Sequence, residues 1–356
     1  MKPYNLEVFD RQFNLLAHTN VEEVTIDYDY LKPNDSEVVA RVAMDDLFIG
    51  AYIRFTRDET ELFGVVTSID KADDPLLTNI GFQPFPAALF STEILFDTDK
   101  QGSVALETVI ADLITASWIS NTDTSQNVQG LSVTTSSTTL SWGMNLKSDT
   151  EGMHHCIIDF YEVLISRALA EYGIAIQTAA NIENGTISLT VGKVTATQTI
   201  EADLPNVFEK TLLINEASKN TNKLDVYNTE NYTTVITYYK HTDGTYDTTN
   251  TDRITPVVRE IGTASADDNN TFPQNAASVA ASVFGEVTYN NLIEITCKYE
   301  DTLIEPKNIK VGTVVSVISN LVAYASILTG YKLSDNVITL IFGSIRADLT
   351  KLIGGK

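Results

Sequence analysis

Apolar and polar residues alternate along much of this chain. In "EVTIDYDYL", Val24, Ile26, Tyr28 and Tyr30 fall on one side of an extended backbone, with Thr25, Asp27 and Asp29 on the other. A period of two marks a half-buried strand. "NLEVFDRQFNLLAHT" reads as two short strands around a polar turn at residues 10–12, and "EVVARVAMDD" as another strand. In "AYIRFTRDETELFGVVTSID", Tyr52, Ile53 and Phe55 precede a turn at residues 58–60, and Leu62, Phe63, Val65 and Val66 follow it. Gly64 inside that second strand predicts a bulge or a close backbone approach. Five or six short antiparallel strands suit a small barrel. Pro75, Pro84 and Pro86 then break the pattern and set a boundary near residue 95.

The next segment changes period. Leu106, Val109, Ile110, Leu113, Ile114 and Trp118 recur at helical spacing, with Ser103 as the N-cap. A serine- and threonine-rich stretch to about Asp149 reads as strand and loop. "HHCIIDFYEVLISRALAEYGI" predicts one helix whose apolar stripe runs from Ile157 to Tyr172, stopped by Gly173. Asn184–Gly185 is the strongest turn signal in the chain and predicts a hairpin, its first arm short and loosely set. From Asp203 the strands return in "KLDVYN", in "TTVITYYKHTDGTYDTT" with a turn at Asp243–Gly244, and in "NLIEITCKY". "TASADDNNTF" is a loop, and "PQNAASVAASVF" a short helix opened by Pro273.

Residues 311–331 carry no charge and are bracketed by Lys310 and Lys332, which is the length of a membrane span. Gly312, Thr313, Ser316, Ser319, Asn320, Ser326 and Thr329 make the run too polar for one, and the flanks lack a one-sided excess of basic residues. Two β-favouring arms bending near Asn320 explain the run without lipid. A turn at residues 334–336, a strand at 337–342 and a terminal helix with Ile345, Leu349 and Leu352 on one face complete the chain. The expected fold is α+β and β-dominated. Two small β-barrel domains, residues 1–95 and 204–356, flank an α+β insertion at 96–203, and the second barrel carries additional strands, a loop and a short C-terminal helix.

Composition narrows the function. The 356 residues are 43% hydrophobic and 20% charged, enough to build real cores. Acidic residues outnumber basic ones 47 to 24, a net charge of −23, which opposes general binding to phosphate backbones or anionic lipid. Two cysteines, Cys156 and Cys297, exclude a disulfide framework. The first residues, interrupted by Glu7, Asp10 and Arg11, contain no apolar run of signal-peptide length.

Signs of chemistry are sparse. There is no Gly-x-Ser-x-Gly elbow, phosphate loop or His-Glu-x-x-His. His154, His155 and Cys156 are adjacent, but zinc needs a second set of ligands that the sequence does not supply. A Cys156 nucleophile would need a histidine brought beside it by folding. Asp243, Asp247, Asn250 and Asp252 share one polar segment but fit no EF-hand spacing. Acids are too abundant for any carboxylate pair to be diagnostic. The expectation is therefore a protein that is not an enzyme, with no catalytic, cofactor or metal residue.

Three stretches carry a family resemblance: "IGAYIRFTRDETELFGVVTSID", "NKLDVYNTENYTTVITYYKHTDGTY…TDRITPVV", and the closing "KNIKVGTVVSVI…SILTGYKLSDNVITLIFGSIRADLTKLIGG". With the layout, they make the chain similar to the baseplate hub, or tail-associated, proteins of long-tailed bacteriophages and prophages. The resemblance implies a structural homotrimer in which each chain gives two related barrels, so that three chains form a ring of six. That ring would continue the tail tube, contact the distal tail protein and the tape-measure protein, and let DNA pass without specific nucleic-acid recognition. It also implies a place in the virion, at the tail tip, after synthesis in the bacterial cytoplasm. Some relatives carry a C-terminal wall hydrolase or receptor-binding extension; this sequence ends about fifteen residues after its last predicted strand. The alternative reading is a tail protein that binds host cell-wall carbohydrate or a receptor, and a third is an acidic wall hydrolase.

Overall fold

The computed structural model describes residues 3–21, 24–57, 60–74, 76–140, 142, 155–214, 221–241, 246–251, 257, 259–267, 270–285, 289, 291–334 and 336–344. Strands dominate. The first seven are β1 (Tyr4–Phe9), β2 (Leu15–Val21), β3 (Val24–Asp29), β4 (Ser36–Ala40), β5 (Tyr52–Arg57), β6 (Thr60–Lys71) and β7 (Thr78–Pro84). They pair antiparallel in the order β3-β4-β7-β6-β5-β1-β2. Alternation sets their faces: Tyr4, Leu6 and Val8 of β1 are buried, as are Val24 and Ile26 of β3. The expected turn after β1 forms because the Asp10 carboxylate accepts from the backbone of Gln12 (2.8 Å) and Asn14 (2.9 Å). Gly64 is the close approach its position predicts: a Cβ there would lie 2.5 Å from the carbonyl oxygen of Gln83 on β7. Pro84 and Pro86 do not break the sheet, and Pro75 lies outside the described residues. Pro84 closes β7 opposite Gly64, and Pro86 sits in the first turn of α1 (Phe85–Phe90), where a missing N–H costs nothing.

The middle of the chain contains β8 (Glu93–Asp97), α2 (Leu106–Ile114), β9 (Leu131–Thr135), β10 (His155–Asp159), α3 (Ser166–Tyr172), β11 (Ile174–Asn181) and β12 (Thr186–Lys193). The β11–β12 hairpin turns at Gly185 as expected (φ 60°), and its first arm is as long as its second. β9 adds to β12 in parallel. Ser103 is not the cap of α2: its hydroxyl donates to the Asp99 carbonyl, and the helix starts after Ala105. The fully buried Glu107 carboxylate instead ties the helix to residues 137–139, accepting from the Ser137 hydroxyl (2.6 Å) and from the Thr139 backbone (2.8 Å) and hydroxyl (2.9 Å). Burial pushes this carboxyl up, but those donors outweigh it and hold it below its usual range.

The single helix expected from residue 154 onward is a strand followed by a helix. Cys156 and Ile158 are buried while Ile157 is 70% exposed, and β10 pairs with β8. The Asp159 side chain then caps a π-turn at Phe160–Ile165 that runs into α3, which Gly173 ends in the left-handed conformation.

The remaining elements are β13 (Thr197–Glu201), β14 (Glu209–Ile214), β15 (Lys223–Asn228), β16 (Asn231–Lys240), β17 (Tyr246–Asp247), β18 (Arg259–Ala264), α4 (Phe272–Gly285), β19 (Asn291–Lys298), β20 (Val314–Ser319), β21 (Val322–Ser334) and β22 (Val337–Phe342). β15 to β18 form a separate sheet covered by α4, with a small core of Leu224, Val226, Tyr238, Phe272, Ala276, Ala280 and Phe284. β14, β19, β22 and β21 pair in that order, β20 joins β21, and β13 joins β20 in parallel. The uncharged run is thus β20 and most of β21, turning at Asn320 (φ 51°) and Leu321 (φ 66°). No described helix is long and apolar enough to cross a membrane. The Asp243–Gly244 turn, the terminal helix, and the residues of the 58–60 turn before Thr60 lie outside the described residues.

Two separate barrels were expected; among the described residues, no ladder closes either half. An antiparallel ladder between β3 and β21 instead joins them into one 13-stranded sheet. Tyr28 lies opposite Tyr331 with their rings edge-on at 5.4 Å, and Lys332 reaches Asp27 at 3.6 Å. A Cβ on Gly330 would lie 2.5 Å from the Tyr28 carbonyl oxygen. The middle unit is fastened to the same place: Tyr161 donates to the Tyr30 carbonyl (2.9 Å), and the Tyr30 hydroxyl accepts from the backbone of Ile176 (2.9 Å).

Gly330→Ala is expected to destabilise the chain by about 1–3 kcal/mol, because backbone on both sides must move; chemical denaturation measures it. Leu321→Gly, which removes the left-handed penalty on a fully exposed leucine, is expected to gain about 1 kcal/mol in the same assay.

Candidate functional site

The residues singled out for chemistry do not assemble. His155 and Cys156 are successive residues of β10, so their side chains leave opposite faces of the strand: His155 is exposed and Cys156 buried. Burial pushes the Cys156 thiol up, the opposite of what a nucleophile needs. His154, Asp243 and Asp252 lie outside the described residues. Asp247 accepts from the backbone of Thr249 (2.5 Å) and lies 3.1 Å from Nε2 of His241, whose Nδ1 is 2.8 Å from the carbonyl of Thr251. These bonds lower the Asp247 carboxyl and occupy it within its own loop. No group of three or more histidine, cysteine or acidic side chains that could hold a metal occurs among the described residues.

The unusual chemistry lies where the two half-sheets meet. Arg57, the last residue of β5, is only 3% exposed. Its guanidinium lies between two aromatic faces, 4.5 Å from the ring centroid of Tyr4 and 4.3 Å from that of Tyr299. None of its three side-chain nitrogens makes a hydrogen bond among the described residues. A buried cation without a carboxylate is costly, and attraction to the two ring faces is its compensation. Tyr4 starts the first strand and Tyr299 follows β19, so this one side chain clasps both halves of the molecule.

Beside the clasp is a cavity of about 400 Å³. Tyr4, Tyr28, Phe55, Phe63, Tyr299 and Tyr331 supply its aromatic wall, and β11 and the segment 306–311 close it. Two polar atoms on the lining residues have no partner among the described residues: the hydroxyl of Tyr4 and that of Thr178. Burial pushes the Tyr4 phenol far up, so it stays a neutral donor. Gln177 is already engaged with the Val311 carbonyl at 2.9 Å. Exposed Glu61, Ala179, Lys307 and Lys310 lie at the edge of the cavity. Burial raises the Glu61 carboxyl, opposed by Arg54, which is held mainly by Glu7 (2.8 Å).

The sequence shows 15 tyrosines and 14 phenylalanines, which could line a sugar site but in β proteins are more often core or cross-strand pairs; it does not show this clasp. Arg57 sits in "FTRDETE", which reads as a polar turn, and the rings that cover it, Tyr4 and Tyr299, are both distant in sequence. The one readable hint was the density of tyrosine in strands that alternate cleanly.

No protein-family model matches this chain, and no curated protein matches it. Solved structures do. The chain is similar to a 43 kDa tail protein of prophage MuSo2 from Shewanella oneidensis, at 13% identity and a TM-score of 0.47, covering 96% of this chain and 98% of that one. It is similar to a tail protein from Neisseria meningitidis MC58 at 12% identity and a TM-score of 0.46, covering 96% of each chain. These neighbours are tail proteins. A chain of the phage P2 baseplate in its activated conformation is similar at 12% identity, with a TM-score of 0.42 over 96% of this chain and 98% of that one. Each TM-score is below 0.5.

Arg57→Ala is expected to lower stability by about 2–4 kcal/mol, since it removes the contact with two rings and leaves a void. Urea unfolding followed by tryptophan fluorescence reads this loss.

Proposed function

We propose that the chain is a structural hub of a phage or prophage tail tip. In this reading three copies, each contributing two barrel-like units with an α+β unit inserted between residues about 95 and 203, build a ring of six units. The ring continues the tail tube, meets the distal tail protein and the tape-measure protein, and passes DNA. The observation that carries the reading is the β3–β21 ladder, which sets two strand-built units side by side in one chain. Among the described residues, β2, β14 and β13 each pair on one side alone and leave an open edge of the joined sheet. Edges of this kind invite pairing with a neighbour, and a head-to-tail contact closes a ring when its rotation divides the circle.

The net charge of −23 fits a conduit. Acidic side chains facing a channel repel the DNA backbone, so that it slides without adhering. The acidic-hydrolase reading draws no support from the described residues.

Native mass spectrometry of the purified chain over a range of concentrations is expected to show a species of three times the monomer mass. Electron microscopy of that species is expected to show a ring with six similar lobes around a central opening. A dimer, an open filament, or a chain that stays monomeric both alone and with the tail-tube end added would sink the hub reading.

A further inference from the structure

We propose that the free edge of β8 receives an extended segment of another protein as a third strand, one with basic, apolar and basic side chains at alternating positions. β8 and β10 form a ribbon of two strands, and among the described residues neither pairs with any other strand. Phe96, Cys156 and Ile158 are buried and anchor its inner side. The Phe160 amide donates to the Thr92 carbonyl at 2.8 Å. In an antiparallel ladder, residues alternate between bonding across the pair and facing away from it. Counted from Thr92, the N–H and C=O groups of Glu93, Leu95 and Asp97 therefore face away from β10. Such an edge takes up a strand through its backbone, and side chains at every second position select which strand.

The same three residues turn their side chains out of the ribbon. Leu95 is 64% exposed and lies directly opposite Ile157, 70% exposed, so the two form an apolar ridge in water. Acids stand on either side of Leu95 along β8: Glu93 faces Asp159 across the ladder, and Asp97 faces His155. Like charges directly opposed, such as Glu93 and Asp159, destabilise a pair. Asp159 accepts from the Glu162 backbone (2.6 Å) and Asp97 from the Asp99 backbone (3.0 Å). No described cation forms a salt bridge with any of the three acids. A lysine or arginine on a third strand relieves the repulsion while its apolar neighbour covers Leu95. The β10 edge has one acid and His155 in the corresponding places, so it attracts a cation less. A second copy of this chain fits badly, because β8 set against β8 around Leu95 puts Glu93 opposite Asp97. A polycation without apolar groups would leave the ridge in water.

The inference does not depend on the hub reading and is tested on the full chain in whatever oligomeric state it adopts. The probe is a fluorescently labelled heptapeptide, Thr-Lys-Thr-Val-Thr-Lys-Thr, with Thr-Glu-Thr-Val-Thr-Glu-Thr as its acidic counterpart. Anisotropy is expected to show saturable binding of the lysine peptide at submillimolar concentration, and binding of the acidic one weaker by about tenfold or more. Hydrogen exchange is expected to slow in β8 when the lysine peptide is added. Leu95→Ser keeps the charge and is expected to weaken binding about tenfold with an unchanged melting temperature. Glu93→Lys is expected to weaken the lysine peptide by about the same factor and to strengthen the acidic one. Glu230→Lys makes the same change of charge at an exposed turn of the separate sheet and is expected to alter neither. Absence of binding overturns the proposal. So does an equal loss in Glu93→Lys and Glu230→Lys, which would mean that the overall charge of −23 merely collects cations. Binding untouched by Leu95→Ser, or slowed exchange in β10 instead of β8, overturns it as well. Slow exchange in β8 of the free chain does the same: at every concentration it means a segment of the same chain on that edge, and rising with concentration it means a second copy. A chain that binds the peptide but never trimerises sinks the hub reading alone.

Discussion

Every strand has two edges, and β3 and β21 direct one of theirs at each other. That ladder decides much of what lies around it. It fixes Tyr28 against Tyr331 and leaves room at Gly330 only for a hydrogen. It also brings Tyr299, from the far end of the chain, over the guanidinium of Arg57. The cavity is the space left between the two curved halves once they are locked in this register. Without the ladder its walls would belong to separate objects. Hydrogen bonds between backbones set the geometry here, and the aromatic side chains fill what the geometry leaves.

The middle unit meets this frame through tyrosine. Tyr30 uses its carbonyl for Tyr161 and its hydroxyl for the backbone of Ile176, so one residue beyond β3 positions both the helical segment and β11. Burial pushes the phenols of Tyr30 and Tyr161 far above their ordinary value, so their hydroxyls remain neutral. Amphipathic rings suit such a junction, because each fills volume and still satisfies one polar group. The Glu107 clip does comparable work farther out. There a carboxylate ordered by three short bonds replaces the N-cap that Ser103 was expected to provide.

What could be read from the sequence is what is decided locally. The turns after β1, at Gly185 and at Asn320 follow from residues that tolerate or stabilise the required backbone, so the hairpins were legible. The stretch around Cys156, Ile157 and Ile158 is apolar at consecutive positions and fits a helix and a strand equally well. β8 settled the matter from about sixty residues away. The parallel additions of β9, β13 and β18, and the seam itself, depend on partners that no local pattern names. The candidate site was hidden for the same reason. Arg57 next to two acids looks like a solvated turn until Tyr299 is placed over it.

The Arg57 clasp has a consequence in time. Tyr4, Arg57 and β3 are synthesised well before Tyr299 and β21. At roughly 5–20 residues per second, the cation and the open edge of β3 wait on the order of 15–60 seconds for their partners. During that interval the early strands present a half-covered charge and an unpaired backbone edge. Until Tyr299 arrives the guanidinium can stay hydrated, its stem alone packed against the early strands. The clasp is thus a late event: Arg57 fastens the two halves only once Tyr299 covers it.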